Sequence, residues 1–295
     1  MRLLCLLAIA LAAPTHAQDK FPDVFWPPSM VKREIKKPDT LPPGTQTDLY
    51  GDGKYTLYVP SNWKPSNQLS ITIHFHGAAW FAIQEHQRRG LNEPLLAVYA
   101  GEGSSVYQRA FQDPDSWPTV LSHVMSELKT PADTKIDRID VTSFSAGYGA
   151  VRELLKQELP QKHIRRIILA DSMYASFTSP EDKTPLKSQI EPYLNFAQAA
   201  IKGEKSFVIT YSQVPTDTYA NSAACGRELV KQLGLKFSPP PFSKQATERL
   251  YPDYLLLETL DKGGLHIWGY AGTDAQAHMT HPRHIADIWR AVWKD

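Results

Sequence analysis

Ile139-Asp140-Val141-Thr142-Ser143-Phe144-Ser145-Ala146-Gly147-Tyr148-Gly149-Ala150-Val151-Arg152 is the stretch whose reading decides the fold. A β-branched run reaches a serine flanked by small residues. The spacing of Val151, Leu154 and Leu155 then turns helical, so the segment reads as strand, tight turn and helix. A serine on such a turn is pressed into a strained backbone by the oncoming helix, and only small residues two positions away on either side avoid a clash. Ser143 and Gly147 both meet that demand. The usual elbow pattern is Gly-x-Ser-x-Gly, and here Ser143 stands at its first glycine. A glycine-containing turn with an incidental serine would look the same over these residues, so the remaining chain has to decide.

Working outward, the pattern alternates. Upstream, Tyr55–Pro60, Leu69–His76 and Leu95–Ala100 are strand-like, and Trp117–Lys129 has helical spacing. Downstream, Ile164–Ala170 and Ser206–Tyr211 read as strands, with Ile190–Ile201 and Tyr219–Leu233 as helices. Leu235–Pro252 is a proline-rich excursion. Leu255–Leu260 and Leu265–Tyr270 are strands joined across Lys262-Gly263-Gly264, and His284–Trp293 closes as an amphipathic helix. Strands alternating with helices predict an α/β fold, a single domain with a mostly parallel central sheet covered by helices on both faces. No repeat at solenoid spacing interrupts it. The Gly101-Glu102-Gly103-Ser104-Ser105-Val106-Tyr107 loop is too irregular for a phosphate cradle and opens no clear helix, so nucleotide binding is not expected.

The first residues have a different character. Arg2 precedes an apolar run, Leu3–Ala13, and small residues precede Gln18, which describes a secretory signal peptide with cleavage after Ala17. The run is too short for a membrane anchor, and no later segment carries a long uncharged apolar stretch. Residues 1–17 are thus a signal peptide, 18–48 a proline-rich arm with the basic cluster Lys32, Arg33, Lys36 and Lys37, and 49–295 the α/β domain. Trp26 is placed to pin the arm. The product is expected to be secreted or periplasmic. The 32 basic and 31 acidic residues give a net charge of +1, and removal of Arg2 balances them. Such a balance gives no footing for nucleic acid or a membrane surface. Beyond the signal the chain has one cysteine, Cys225, so no internal disulfide forms and stability must come from a large core. Cys225 reads as a buried thiol on an apolar helix.

Sites in such sheets lie beyond the carboxyl ends of the strands. There the chain delivers His76-Gly77-Ala78-Ala79-Trp80, then Ser145, then Asp171, and finally Gly269–His281. With these parts in this order the chain resembles the α/β-hydrolase fold from about Tyr55 to the C-terminus. The resemblance implies an exported serine hydrolase acting through an acyl-enzyme, most simply on a carboxylic ester, either small or linked to polysaccharide. It assigns Ser145 as nucleophile, His278 as base and Asp171 as acid, with backbone N–H groups of Gly77 or Ala78 and of Ala146 as oxyanion donors. No metal and no organic cofactor is implied.

Two assignments have rivals. Asp217 follows the strand after next, where most family members carry the acid; Asp171 abuts its own strand directly, as in pancreatic-type lipases, while Asp217 reads as a helix cap. His278 lies nearer the last strand than His281, and His266 and His284 fall inside elements. His278 and His281 beside Asp274 could suggest metal, but no second ligand cluster accompanies them, and Asp274 reads as a cap. His74 reads as packing, His76 as a prop for the Gly77 turn, and Trp80 and Tyr174 as pocket lining. A peptidase or amidase of the same fold, and a catalytically silent binding protein prompted by Ser143, remain as alternatives.

Overall fold

The computed structural model describes residues 27–293. The expected signal peptide and Trp26 lie outside the described residues. Nine strands form one sheet: β1 (Gly44–Asp48), β2 (Tyr55–Pro60), β3 (Gln68–Phe75), β4 (Leu95–Val98), β5 (Lys135–Phe144), β6 (Ile164–Ala170), β7 (Ser206–Tyr211), β8 (Leu256–Lys262) and β9 (Leu265–Tyr270). Their order is β1-β2-β4-β3-β5-β6-β7-β9-β8. From β4 to β9 every neighbouring pair is parallel, while β1, β2 and β8 pair antiparallel at the two edges.

The helices are α1 (Ala79–Arg88), α2 (Ser104–Phe111), α3 (Ser116–Glu127), α4 (Tyr148–Leu154), α5 (Glu158–His163), α6 (Lys187–Ile201), α7 (Ser222–Gln232), α8 (Lys244–Leu250), α9 (Ala275–Thr280) and α10 (Ile285–Val292). A parallel strand buried on both faces carries apolar residues at every position, and β6 shows this in Ile167-Ile168-Leu169-Ala170, all fully buried. Ile167 and Leu169 face a core built with Trp117, Val151, Ile190 and Leu229, from α3, α4, α6 and α7. Ile168 and Ala170 face the opposite core, with Trp268, Trp289 and Ile288. Cys225 on α7 is buried in the first of these, and burial pushes its thiol up to about 12.

Within the proline-rich segment, residues 27–33 are hydrogen-bonded to the domain. Buried Tyr251 and Tyr270 donate their hydroxyls to the carbonyls of Pro27 and Pro28, at 2.8 and 2.9 Å. His284 Nε2 lies 2.9 Å from the Val31 carbonyl, and Arg33 pairs with Asp287 at 3.1 Å. The boundary expected at 48 is softer than the sequence suggested, because β1 adds residues 44–48 to the sheet.

Several helices were not legible in the sequence, among them α9, which carries His278 where a loop was expected. The loop expected at Gly101–Tyr107 gives way at Ser104 to α2, which buries only Tyr107 and Phe111 and so offers little periodicity. Residues Ala79–Arg88 form α1, and the excursion 235–252 contains α8 behind Pro239-Pro240-Pro241.

Candidate active site

β5 ends at Phe144, and Ser145 opens a 3-10 turn, Ser145–Gly147, that runs directly into α4. Its φ is +44°, in the left-handed region that non-glycine residues avoid at a cost of about 1–3 kcal/mol. The crowding that holds it there can be read at Gly147, where a Cβ would lie 2.5 Å from the Phe75 carbonyl oxygen and 2.6 Å from Ser143 Oγ. Ser143 is fully buried and its hydroxymethyl group fits behind the turn. Ser172 Oγ donates to the Ser145 carbonyl at 2.9 Å and lies 2.8 Å from Ser143 Oγ, so Ser143 is the donor in that pair. A file of three serines thus ties the end of β5, the turn and the residue after Asp171.

Asp171 directly follows β6 with φ +46°, and its amide donates to the Thr210 carbonyl at 2.8 Å. Buried on all sides, its Oδ2 accepts from Ser212 Oγ at 2.6 Å and from His278 Nδ1 at 2.8 Å. Burial alone would raise this carboxyl, but the hydrogen bonds from His278 and Ser212 and the neighbouring imidazoles outweigh it and hold the group below the usual carboxylate range. His278 sits on α9, whose first turn Asp274 caps by accepting from the Ala277 amide at 2.8 Å. The Phe144 ring lies 4.6 Å from the imidazole, and the Tyr174 hydroxyl is 3.5 Å from Nδ1. With Nδ1 on Asp171, Nε2 is the nitrogen left for a reacting group.

Ser145, Ala146, Asp171, Tyr174 and His278 line one open pocket of about 700 Å³, together with Tyr148, Arg152, Tyr219 and Asn221. Asp217 is exposed and its carbonyl meets Lys183 at 3.5 Å; it caps nothing, since Asn221 caps α7 through the Ala224 amide. That corrects the reading of Asp217 as a cap. His281 is buried against Thr210 Oγ1 at 2.9 Å, and burial lowers it to about 4. His266 pairs with Asp261 at 2.7 Å and His284 with Asp287 at 2.8 Å.

The Gly77 turn is placed by register. Phe75 pairs with Ser143 across β3 and β5, and two residues beyond that pair the chains leave the sheet at Gly77 and Ser145. His76 and Gly77 both have positive φ, +70° and +133°. His74 props this turn as well as packing in the core: its Nε2 is 3.0 Å from the His76 carbonyl and its Nδ1 2.8 Å from Thr142 Oγ1. His76 itself meets the Tyr107 hydroxyl at 3.0 Å. Gly77, Ala78 and Trp80 line a separate apolar cavity of about 200 Å³ with Phe81, Phe144 and Met279, and none of the three lines the larger pocket. Among the described residues no cluster of three or more His, Cys, Asp or Glu could hold a metal ion.

A parallel sheet in this order, with a strained serine after β5, an acid after β6 and a histidine beyond β9, fixes the architecture. The chain has the α/β-hydrolase fold. No family model matches the sequence, and no curated protein does. Among solved structures the chain is similar to poly(aspartic acid) hydrolase-1 from Sphingomonas sp. KT-1, at 12% identity and a TM-score of 0.45, covering 86% of this chain and 100% of that one. It is similar also to a cold-adapted esterase from an Arctic intertidal metagenomic library, at 12% identity and TM-score 0.44, covering 85% and 93% of the two chains. The enterobactin esterase of Shigella flexneri gives 12% and 0.46, with 88% of this chain matched to 62% of its own length. Within the hydrolase fold, Ser172, Ser212 and Arg152 went unnoticed in the sequence because isolated serines and a helical arginine carry no spacing signal; only adjacency to Asp171 hinted at Ser172.

Proposed function

We propose that this chain is a serine hydrolase that cleaves carboxylic esters through an acyl-enzyme, on small or polysaccharide-linked substrates. The observation that carries the reading is a serine held at φ +44° in the same pocket as an imidazole bonded through Nδ1 to a buried carboxylate. A serine hydroxyl is a poor nucleophile at neutral pH and needs a base within reach. Here His278 Nε2 takes the Ser145 proton as Oγ attacks the ester carbonyl. The Ala146 amide, at the start of the turn, and an amide of Gly77 or Ala78 receive the oxyanion, each contributing about 3 kcal/mol to the transition state. His278 then passes its proton to the leaving alkoxide, the alcohol departs, and the acyl group stays on Ser145. Water repeats the sequence and releases the acid. Asp171, held ionised, fixes the Nδ1–H tautomer and offsets the imidazolium charge.

The test is labelling by a fluorophosphonate probe together with p-nitrophenyl ester turnover. Ser145→Ala is expected to abolish both, and Asp171→Asn to lower kcat by about 10³–10⁴ while Asp217→Asn leaves it unchanged. An unlabelled, folded wild-type protein would overturn the reading.

A further inference from the structure

Arg152 lines the Ser145 pocket seven residues after the serine, yet it is only 6% exposed. Its known contacts are neutral: Nη1 donates to Gln189 Oε1 at 3.1 Å and to the Tyr174 carbonyl at 3.4 Å. The guanidinium carbon stands 5.2 Å from the centre of the Tyr148 ring, one helical turn back on α4. Gln189 is itself fixed, its Oε1 accepting from the Ser176 amide at 2.8 Å. Among the described residues no carboxylate pairs with Arg152. Its neighbour Glu153 is engaged by Lys156 at 2.7 Å, Asp171 by His278 and Ser212, and Glu102 stands exposed at the rim, bonded by Tyr99.

A buried guanidinium without a counterion is costly, and removing one partner from a buried pair leaves the other strongly destabilised. Here the guanidinium is held by two hydrogen bonds beside a tyrosine ring, and its Nε and Nη2 hydrogens are not used by either contact. The guanidinium fork matches a carboxylate with two parallel hydrogen bonds. We propose that Arg152 recognises a carboxylate on the substrate, so that the ester cleaved at Ser145 belongs to an acidic molecule such as a dicarboxylate half-ester or an acidic sugar ester. This rests on the esterase reading above for the bond cleaved, though the anion site itself does not. A monoanion suits the pocket better than a phosphate dianion, because besides Arg152 its lining holds no lysine or second arginine, only His278.

Two measurements test this. In wild type, kcat/KM for mono-p-nitrophenyl glutarate is expected to exceed that for p-nitrophenyl butyrate. Arg152→Gln should collapse that ratio at least tenfold, chiefly through KM for the acidic ester, and Arg152→Lys, with charge but no fork, should fall between. Independently of turnover, glutarate should bind Ser145→Ala protein in calorimetry, glutaramide should not, and the double variant with Arg152→Gln should lose the binding. If Arg152→Gln does not fold, the glutarate–glutaramide contrast and Arg152→Lys still decide. Equal binding of glutarate and glutaramide, or a selectivity ratio unmoved in the arginine variants, would overturn the proposal. Arg152-dependent glutarate binding in a protein that cleaves no ester would instead sink the esterase reading and leave the anion site standing.

Discussion

At the scale of single residues the turn at Ser145 is a problem of space. Gly147 is required because any side chain there meets the backbone of Phe75 as well as Ser143. Gly147→Ala is expected to cost about 1–3 kcal/mol in urea unfolding, as overpacked sites do, and to lower esterase activity at least tenfold. The usual glycine at 143 is dispensable because this side chain is turned toward Ser172 and fills space productively. Ser172→Ala removes the hydroxyl that holds the Ser145 carbonyl, and it should lower kcat several-fold with little change in KM. A fall in KM alone would count against that role. The small-residue requirement could be read from the sequence; the hydroxyl file could not, because it joins residues from two strands.

Among elements, the strands were the most legible. β6, β7 and β9 begin and end where the apolar runs do, since a strand buried on both faces leaves an unbroken apolar signature, and β2 was read from its alternation. The short helices α1, α2 and α8 left almost none, each burying only a few side chains. Residues 27–43 hold no helix, and much of their attachment was invisible, because beside the Arg33–Asp287 pair it is made by backbone carbonyls that carry no sequence identity. Those carbonyls satisfy Tyr251, Tyr270 and His284, which are 1%, 0% and 3% exposed. A chain lacking residues 18–36 leaves three buried polar groups unpaired, at about 1–3 kcal/mol each. Its thermal midpoint is expected to fall by well over 10 °C, and an unchanged midpoint would show the arm to be ornamental.

For the whole molecule, several histidines are buried uncharged. Burial lowers His281 to about 4 and His74 to about 3, from an ordinary value of 6.5. The unfolded chain therefore takes up protons below pH 6.5 that the fold refuses, so their stabilisation is complete above 6.5 and is lost as pH falls toward 4. Asp140, raised by burial to about 7, works in the opposite sense over the same window, while Asp171 stays ionised through it. The loss of unfolding free energy between pH 7 and pH 5 should shrink by roughly 2 kcal/mol in His281→Asn, and an identical slope in the variant would refute the assignment. Which histidine meets Asp171 was only half legible, because position along the chain favoured His278 while the burial of His281 against Thr210 shows only in the fold. Finally, the lone thiol on α7 has a practical side. Cys225 is fully enclosed and its proton is held up to about pH 12, so thiol reagents have neither access nor a thiolate to attack. Among the described residues, a cysteine placed by mutagenesis at the pocket rim would thus be the single reactive handle, and a fluorophore there would report pocket occupancy.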